Sequence, residues 1–156
     1  IMIAIKKILF PTDFSETSKY AMNYAIEFAK EFNAELKIVH VIFDESQIVA
    51  FYLPQVTFQN LDLELEESAK KQLEDFIKEY PELQEVKYTT KLLKGTPFVE
   101  IIDEAKKFEA DMIVIGTHGR SGLEHVLFGS TAEKVVRKSP CPVFSVRLKE
   151  HKFKMP

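Results

Sequence analysis

The sequence predicts an α/β protein built on a parallel, doubly wound open sheet. Five short apolar segments, each bounded by glycine, proline or polar turn residues, alternate with segments whose apolar residues recur at helical spacing. Such alternation buries a parallel sheet between helices on both of its faces. Right-handed crossovers then restrict the arrangement to a doubly wound sheet. Two of the apolar segments, Ile8–Phe10 and Met112–Ile115, are unbroken, as strands covered on both sides are.

The elements follow in order. The first strand starts near Ile5 and is stopped by Pro11. Thr12-Asp13-Phe14-Ser15 is turn and N-cap chemistry, with Ser15, Glu16 and Ser18 supplying helix-start residues. From Ser18 to Phe32 the residues Tyr20, Ala21, Tyr24, Ala25, Phe28, Ala29 and Phe32 fall on one helical stripe, and Asn33 is the C-cap. Glu35–Ile42 reads as the second strand. Residues 43–60 carry no sustained period and contain Pro54, which would interrupt a helix, so this stretch reads as a long loop of the kind that forms lids or interaction surfaces. Helical periodicity returns from Leu61 to Tyr80 (Leu61, Leu65, Ala69, Leu73, Phe76, Ile77) and Pro81 ends it.

Val86–Leu93 alternates in part, which places the third strand at a sheet edge. Thr96 and Pro97 are an N-cap and a first helical position, followed by the apolar face Phe98, Ile101, Ile102, Ala105 and Phe108. The fourth strand runs from Met112 to Ile115. A short helix spans Ser130–Lys138, and Pro142–Val146 is the fifth strand. Residues 1–148 form one domain, and 149–156 a short basic tail.

Composition narrows the function. A net charge of −3 with interleaved acids and bases argues against nucleic-acid binding driven by a basic surface. Cys141 is the single cysteine, so no intrachain disulfide forms and a reducing cytoplasm is expected. No run approaches the roughly 18 apolar residues of a membrane span, and Ile1–Ile5 is too short for a signal-peptide core.

The chemistry concentrates in Gly116-x2-Gly119-x9-Gly129-Ser130-Thr131. Glycines permit positive φ and close backbone approach to a ligand. A small hydroxyl pair opening a helix leaves free N–H groups and the positive dipole end facing outward, which suits a phosphate chain. Glycines alone are equally compatible with a loop that merely turns the chain. The GxxxxGK[ST] loop and the GxGxxG fingerprint are both absent, so a bound nucleotide would be held by a different device.

That spacing resembles the nucleotide-binding signature of the universal stress protein family, in its ATP-binding branch. Lys6-Lys-Ile-Leu-Phe-Pro-Thr-Asp-Phe-Ser-Glu-Thr17 is similar to the family's first strand and turn, and Ser139-Pro-Cys-Pro-Val-Phe-Ser-Val-Arg147 to its last strand. The resemblance implies a Rossmann-like fold of the adenine nucleotide alpha hydrolase kind, with strand order 3-2-1-4-5. In that order strands 1 and 4 are neighbours, and their trailing motifs meet where ligands bind in open α/β sheets. It further implies an adenine nucleotide, ATP with Mg2+ or Mn2+, and a homodimer through strand 142–146.

The implied nucleotide site comprises Pro11, Thr12, Asp13, Val41, Gly116, Thr117, His118, Gly119, Arg120, Ser121, Gly129, Ser130 and Thr131. Several of these have a second reading. Asp13 accepts ribose hydroxyls or holds a metal, or it caps the next helix. Val41 meets adenine through its backbone, or is simply core. Arg120 pairs with a terminal phosphate, or is solvated. His118 reads as packing against the loop, His40 as a packing residue, and Cys141 as a small core residue. No second acid or base accompanies Asp13, and phosphoryl transfer needs a positioned base with strong charge neutralisation. The sequence therefore reads as a nucleotide-dependent switch or protective factor in stress response, with an unidentified protein partner and at most slow ATP hydrolysis. A slow ATPase or autokinase, or a dimerisation module without ligand, are the alternatives.

Overall fold

The computed structural model describes residues 1–44, 55–118 and 128–149. In chain order its elements are β1 (Lys7–Pro11), α1 (Glu16–Phe32), β2 (Glu35–Phe43), α2 (Gln55–Lys78), a 3-10 turn (Pro81–Glu85), β3 (Tyr88–Gly95), α3 (Pro97–Phe108), β4 (Met112–Gly116), α4 (Ser130–Lys138) and β5 (Val143–Val146). The five strands form one sheet in the order β3-β2-β1-β4-β5, and every pairing is parallel. The expected strand order is therefore observed, with β3 at an edge.

The period of two in β1 distributes the helices. Ile8 and Phe10 point to one face and join Leu36, Ile38 and Val114 against α1 and the second half of α2, where Ala21, Met22, Ala25, Leu73 and Phe76 are buried. Leu9 points to the other face and joins Val39, Ile113 and Ile115 against Ile101, Ala105 and Phe108 of α3 and Ala132 and Val135 of α4. Ile8, Leu9 and Phe10 are all fully buried. This two-sided burial is why the strand reads as an unbroken apolar run.

The ends of α1 follow the expected chemistry, whereas Thr96 stands at the N-cap position of α3 without a side-chain cap bond. Ser15 is the N-cap of α1, its Oγ accepting the Ser18 N–H at 3.2 Å, and Asn33 closes the helix in the left-handed region at φ 50°. The Asp111 carboxylate accepts the Lys6 and Lys7 N–H groups at 2.8 and 3.0 Å, fixing the start of β4 beside the start of β1.

Three expectations are corrected. Helix α2 begins at Gln55, six positions before Leu61, so Pro54 stands before the helix instead of interrupting it. Along its apolar stripe Ala69, Leu73 and Phe76 are buried, whereas Leu65 is 46% exposed. Strand β3 starts at Tyr88 rather than Val86, because the unforeseen 3-10 turn after Pro81 consumes the intervening chain. Residues 45–54 of the segment read as a loop lie outside the described residues, as does most of the basic tail.

One charged group is buried between the sheet and α3. Glu104 is 2% exposed and accepts Lys37 Nζ of β2 at 2.8 Å and Lys91 Nζ of β3 at 3.1 Å. Burial alone would raise its carboxyl pKa, but the two ammonium groups outweigh it and hold the pKa below the usual carboxylate value.

Candidate functional site

Strands β1 and β4 lie side by side, yet the chain leaves β1 for α1 on one face and leaves β4 for α4 on the other. Their carboxyl ends diverge, which opens a crevice between them. A cavity of about 270 Å³ occupies it. Its walls are Pro11, Thr12 and Asp13 from the end of β1, His40 and Val41 from β2, Ile115, Gly116, Thr117 and His118 from β4 and its continuation, and Gly129 to Ala132 at the start of α4. Ser18 of α1 and Pro97 and Ile101 of α3 complete it.

The β1 wall is a turn in which backbone and side-chain groups are closely paired. The Thr12 N–H donates to Val39 O at 2.8 Å, and Thr12 Oγ1 accepts the Phe14 N–H at 3.0 Å and the Ser18 hydroxyl at 2.6 Å. Asp13 Oδ1 accepts the Ser15 N–H at 3.0 Å. The carboxylate thus organises the turn one step ahead of the helix cap, which is Ser15, while also facing the cavity. Phe14 adopts φ 64°, an unusual conformation for a non-glycine residue.

The opposite wall is differently made. Gly129 caps α4 and has no side chain with which to satisfy the first amides of the helix. The first intrahelical bond runs from the Glu133 N–H to Gly129 O at 3.0 Å, so the amides of Ser130, Thr131 and Ala132 have no acceptor within the helix. These three residues line the cavity, and the positive end of the helix dipole faces it. Gly129 N–H donates to Thr117 O, and Thr117 N–H to Val146 O at 2.9 Å, which binds this wall to the sheet. Thr117 and His118 are buried, with Thr117 Oγ1 and His118 Nδ1 2.8 Å apart. The lining carries no Lys or Arg among the described residues. Among the described residues, the groups able to hold an anion here are amides, hydroxyls and the helix dipole.

Of the thirteen residues singled out from the sequence, Pro11, Thr12, Asp13, Val41, Gly116, Thr117, His118, Gly129, Ser130 and Thr131 line this one cavity. Gly119, Arg120 and Ser121 lie outside the described residues. Among the described residues, Gly116 and Gly129 act otherwise than through positive φ. Gly129 has φ −63°, open to any residue. At Gly116 a Cβ would stand 3.1 Å from Thr17 Cγ2 and 3.3 Å from the Ser18 nitrogen, so the glycine admits the first turn of α1 against β4. His40 packs as expected, its ring 4.3 Å from that of Phe14, but it also faces the cavity. Ser18, Pro97, Ile101, Ile115 and Ala132 were not foreseen. Pro97 carried a usable signal, because a helix start directly after a parallel strand lies at the ligand-binding edge of the sheet. Cys141 is partly buried beside Ser139, and burial raises its thiol pKa, as suits an unreactive packing residue.

A doubly wound parallel sheet with a polar crevice at its switch point, closed on one side by open helix amides, defines an α/β domain whose crevice lies where open sheets of this kind place their ligand sites. The sequence model of the universal stress protein family matches residues 4–147, and the chain belongs to that family. It is similar to universal stress protein MJ0531 of Methanocaldococcus jannaschii, 41% identical over 91% of this chain and 82% of that one. It is 36% identical to MJ0577 of the same organism over 94% of this chain and 98% of the relative. The solved MJ0577 structure superposes with TM-score 0.73 over 96% of this chain and 99% of that one. UspA from Lactobacillus plantarum superposes with TM-score 0.80 at 26% identity, over 92% and 99% of the two chains. The fold is also shared by a universal stress protein solved in complex with cAMP, at 22% identity, TM-score 0.59 and coverage of 92% and 97%. One from Archaeoglobus fulgidus in complex with dAMP shares it at 21% identity, TM-score 0.62 and coverage of 93% and 99%.

Proposed function

We propose that this universal stress protein binds an adenine nucleotide in the crevice, ATP above all, and acts as a nucleotide-dependent switch in the cytoplasmic stress response. One observation carries the reading: the Pro11–Asp13 turn, Val41, Gly116–His118 and the open start of α4 converge on a single cavity. The α4 amides with Ser130 and Thr131 meet phosphate oxygens. Val41, Pro97 and Ile101 supply an apolar wall for a base, and Asp13 faces the ribose or a metal. Relatives of the same fold in complex with cAMP and dAMP support an adenine nucleotide as the class of ligand.

A metal ion fits this picture as the nucleotide's companion. The described residues contain no group of three or more His, Cys, Asp and Glu side chains that could hold one. Mg2+ is commonly held by one or two carboxylates together with phosphates, and Asp13 is the carboxylate among the described residues of the wall. Bound there, it would supply charge neutralisation for the phosphates. Hydrolysis is slow at most in this reading. Residues 1–148 act as one unit, and two copies associate through β5. That strand lies at the sheet edge, and its Phe144 is 37% exposed beside Tyr24 and Phe28 of α1. Light scattering on the purified protein is expected to give the mass of a dimer, and a monomer at micromolar concentration would refute that part.

The nucleotide itself is tested by denaturing freshly purified protein and identifying released small molecules by mass spectrometry. ATP at close to one per chain is expected. Empty protein that also fails to bind added ATP with Mg2+ would end the nucleotide reading and leave the fold untouched.

A further inference from the structure

Resting on the nucleotide reading, we propose that His40 is a positioning residue that sets the Thr12–Asp13 wall through its Nδ1 hydrogen. Nδ1 lies 2.7 Å from the Thr12 carbonyl oxygen. A carbonyl only accepts, so Nδ1 carries the proton. Consecutive residues of β2 therefore hold both backbone groups of Thr12: its N–H donates to Val39 O, and its C=O accepts the His40 Nδ1–H. The strand ladder is thus prolonged by a side chain past the point where β1 ends.

The same ring supports the next unusual feature. Phe14 stands at φ 64°, its ring 4.3 Å from that of His40 and 5.6 Å from that of Phe76 of α2. A non-glycine residue keeps that conformation only where its surroundings hold it. The tilted ring contacts with His40 and Phe76, together with the Phe14 N–H bond to Thr12 Oγ1, provide the hold. Asp13 sits between two residues that His40 anchors, one by hydrogen bond and one by ring contact. Its placement toward the cavity follows from theirs. The alternative role for a cavity-lining imidazole, direct contact with ligand through Nε2, makes a different prediction.

Asparagine can place an amide nitrogen near the Nδ1 position, and glutamine near that of Nε2. The experiment compares wild type with His40→Asn, His40→Gln and His40→Ala in two readouts. One is ATP affinity by calorimetry in Mg2+, and the other is exchange of the Phe14 and Ser15 amides without ligand. Asn is expected to keep affinity within about threefold, while Gln and Ala lose about tenfold, the range of one hydrogen bond. The two amides are expected to exchange slowly in wild type and Asn and faster in Gln and Ala. Affinity retained by Gln and lost by Asn would assign His40 a direct ligand contact and overturn the proposal. Identical affinities in all four proteins, or losses that merely follow melting temperature, would also overturn it. Should wild type bind no nucleotide, the nucleotide reading falls, and the exchange ranking alone decides whether His40 orders the turn.

Discussion

The two walls of the crevice are built on opposite principles. On the β1 side the polar groups of the Thr12–Ser15 turn are committed within the chain: the Thr12 hydroxyl and the Asp13 carboxylate accept N–H groups of the turn itself, and the Ser15 hydroxyl that of Ser18 in α1. On the α4 side the first amides of the helix have no acceptor within it, and Gly129 cannot cap them. The committed wall fixes shape, and the uncommitted wall supplies donors. Substitutions on the first wall should therefore register as lost stability together with lost binding, and those on the second as lost binding alone.

The largest effect is expected where the fold and the site share a residue. Gly116→Val would drive a branched side chain into Thr17 and the Ser18 backbone, which approach within 3.1–3.3 Å of a bare Cβ. A cost of about 3 kcal/mol is expected, read by chemical denaturation. A loss below about 0.5 kcal/mol, the range of surface substitutions, would mean that α1 does not press on β4 as described. Thr12→Val comes next. It keeps the shape but removes the acceptor of the Phe14 N–H and the Ser18 hydroxyl, with an expected cost of about 2 kcal/mol and a parallel fall in nucleotide affinity. Unchanged melting with weakened binding would move Thr12 to the other class of wall.

Glu104 tests the frame behind the crevice, because it ties α3, whose Pro97 and Ile101 line the cavity, to β2 and β3. Glu104→Gln is expected to cost about 1–2 kcal/mol at pH 7, since the partly exposed Lys37 and Lys91 can turn to water when they lose the carboxylate. The sign of the pH dependence is fixed. A carboxyl whose folded pKa is lowered stabilises the fold fully above its unfolded pKa, about 4.3, and loses that contribution as pH falls through the lower folded value. Melting curves from pH 7 to pH 3 should show the gap between wild type and Glu104→Gln closing only below about pH 4.5. A gap independent of pH would remove the ion pairs from the account. The smallest effect on stability belongs to the open wall. Ser130→Ala and Thr131→Ala should each change stability by less than about 0.5 kcal/mol yet weaken ATP binding by roughly three- to tenfold in titration.

The same contrast separates what the sequence made legible from what it did not. Strands such as Ile8–Phe10 and caps such as Ser15 and Asn33 follow from local rules, and they stand where those rules put them. The Gly129-Ser130-Thr131 start of α4 was visible because an uncapped helix end is a local pattern. The start of α2 is not legible because Gln55 to Asn60 carries no helical period, and a proline directly before a first turn carries the same signal as one that interrupts a helix. The 3-10 turn after Pro81 left no periodic trace at all. Strand order came from family resemblance, since local patterns do not state which strands are neighbours. Ser18, Ile101 and Ile115 reach the cavity only through tertiary packing. The sequence marks Gly116 as a ligand residue, but its lack of a side chain also answers to a helix about a hundred positions earlier.

The most direct test of the division between the walls is to titrate the protein with adenosine, AMP and ATP in Mg2+ by calorimetry, before and after Thr131→Ala. If the α4 wall holds phosphate, affinity rises from adenosine to AMP to ATP, and the substitution weakens AMP and ATP while leaving adenosine unchanged. Adenosine binding as tightly as ATP, or weakened equally by the substitution, would contradict the account.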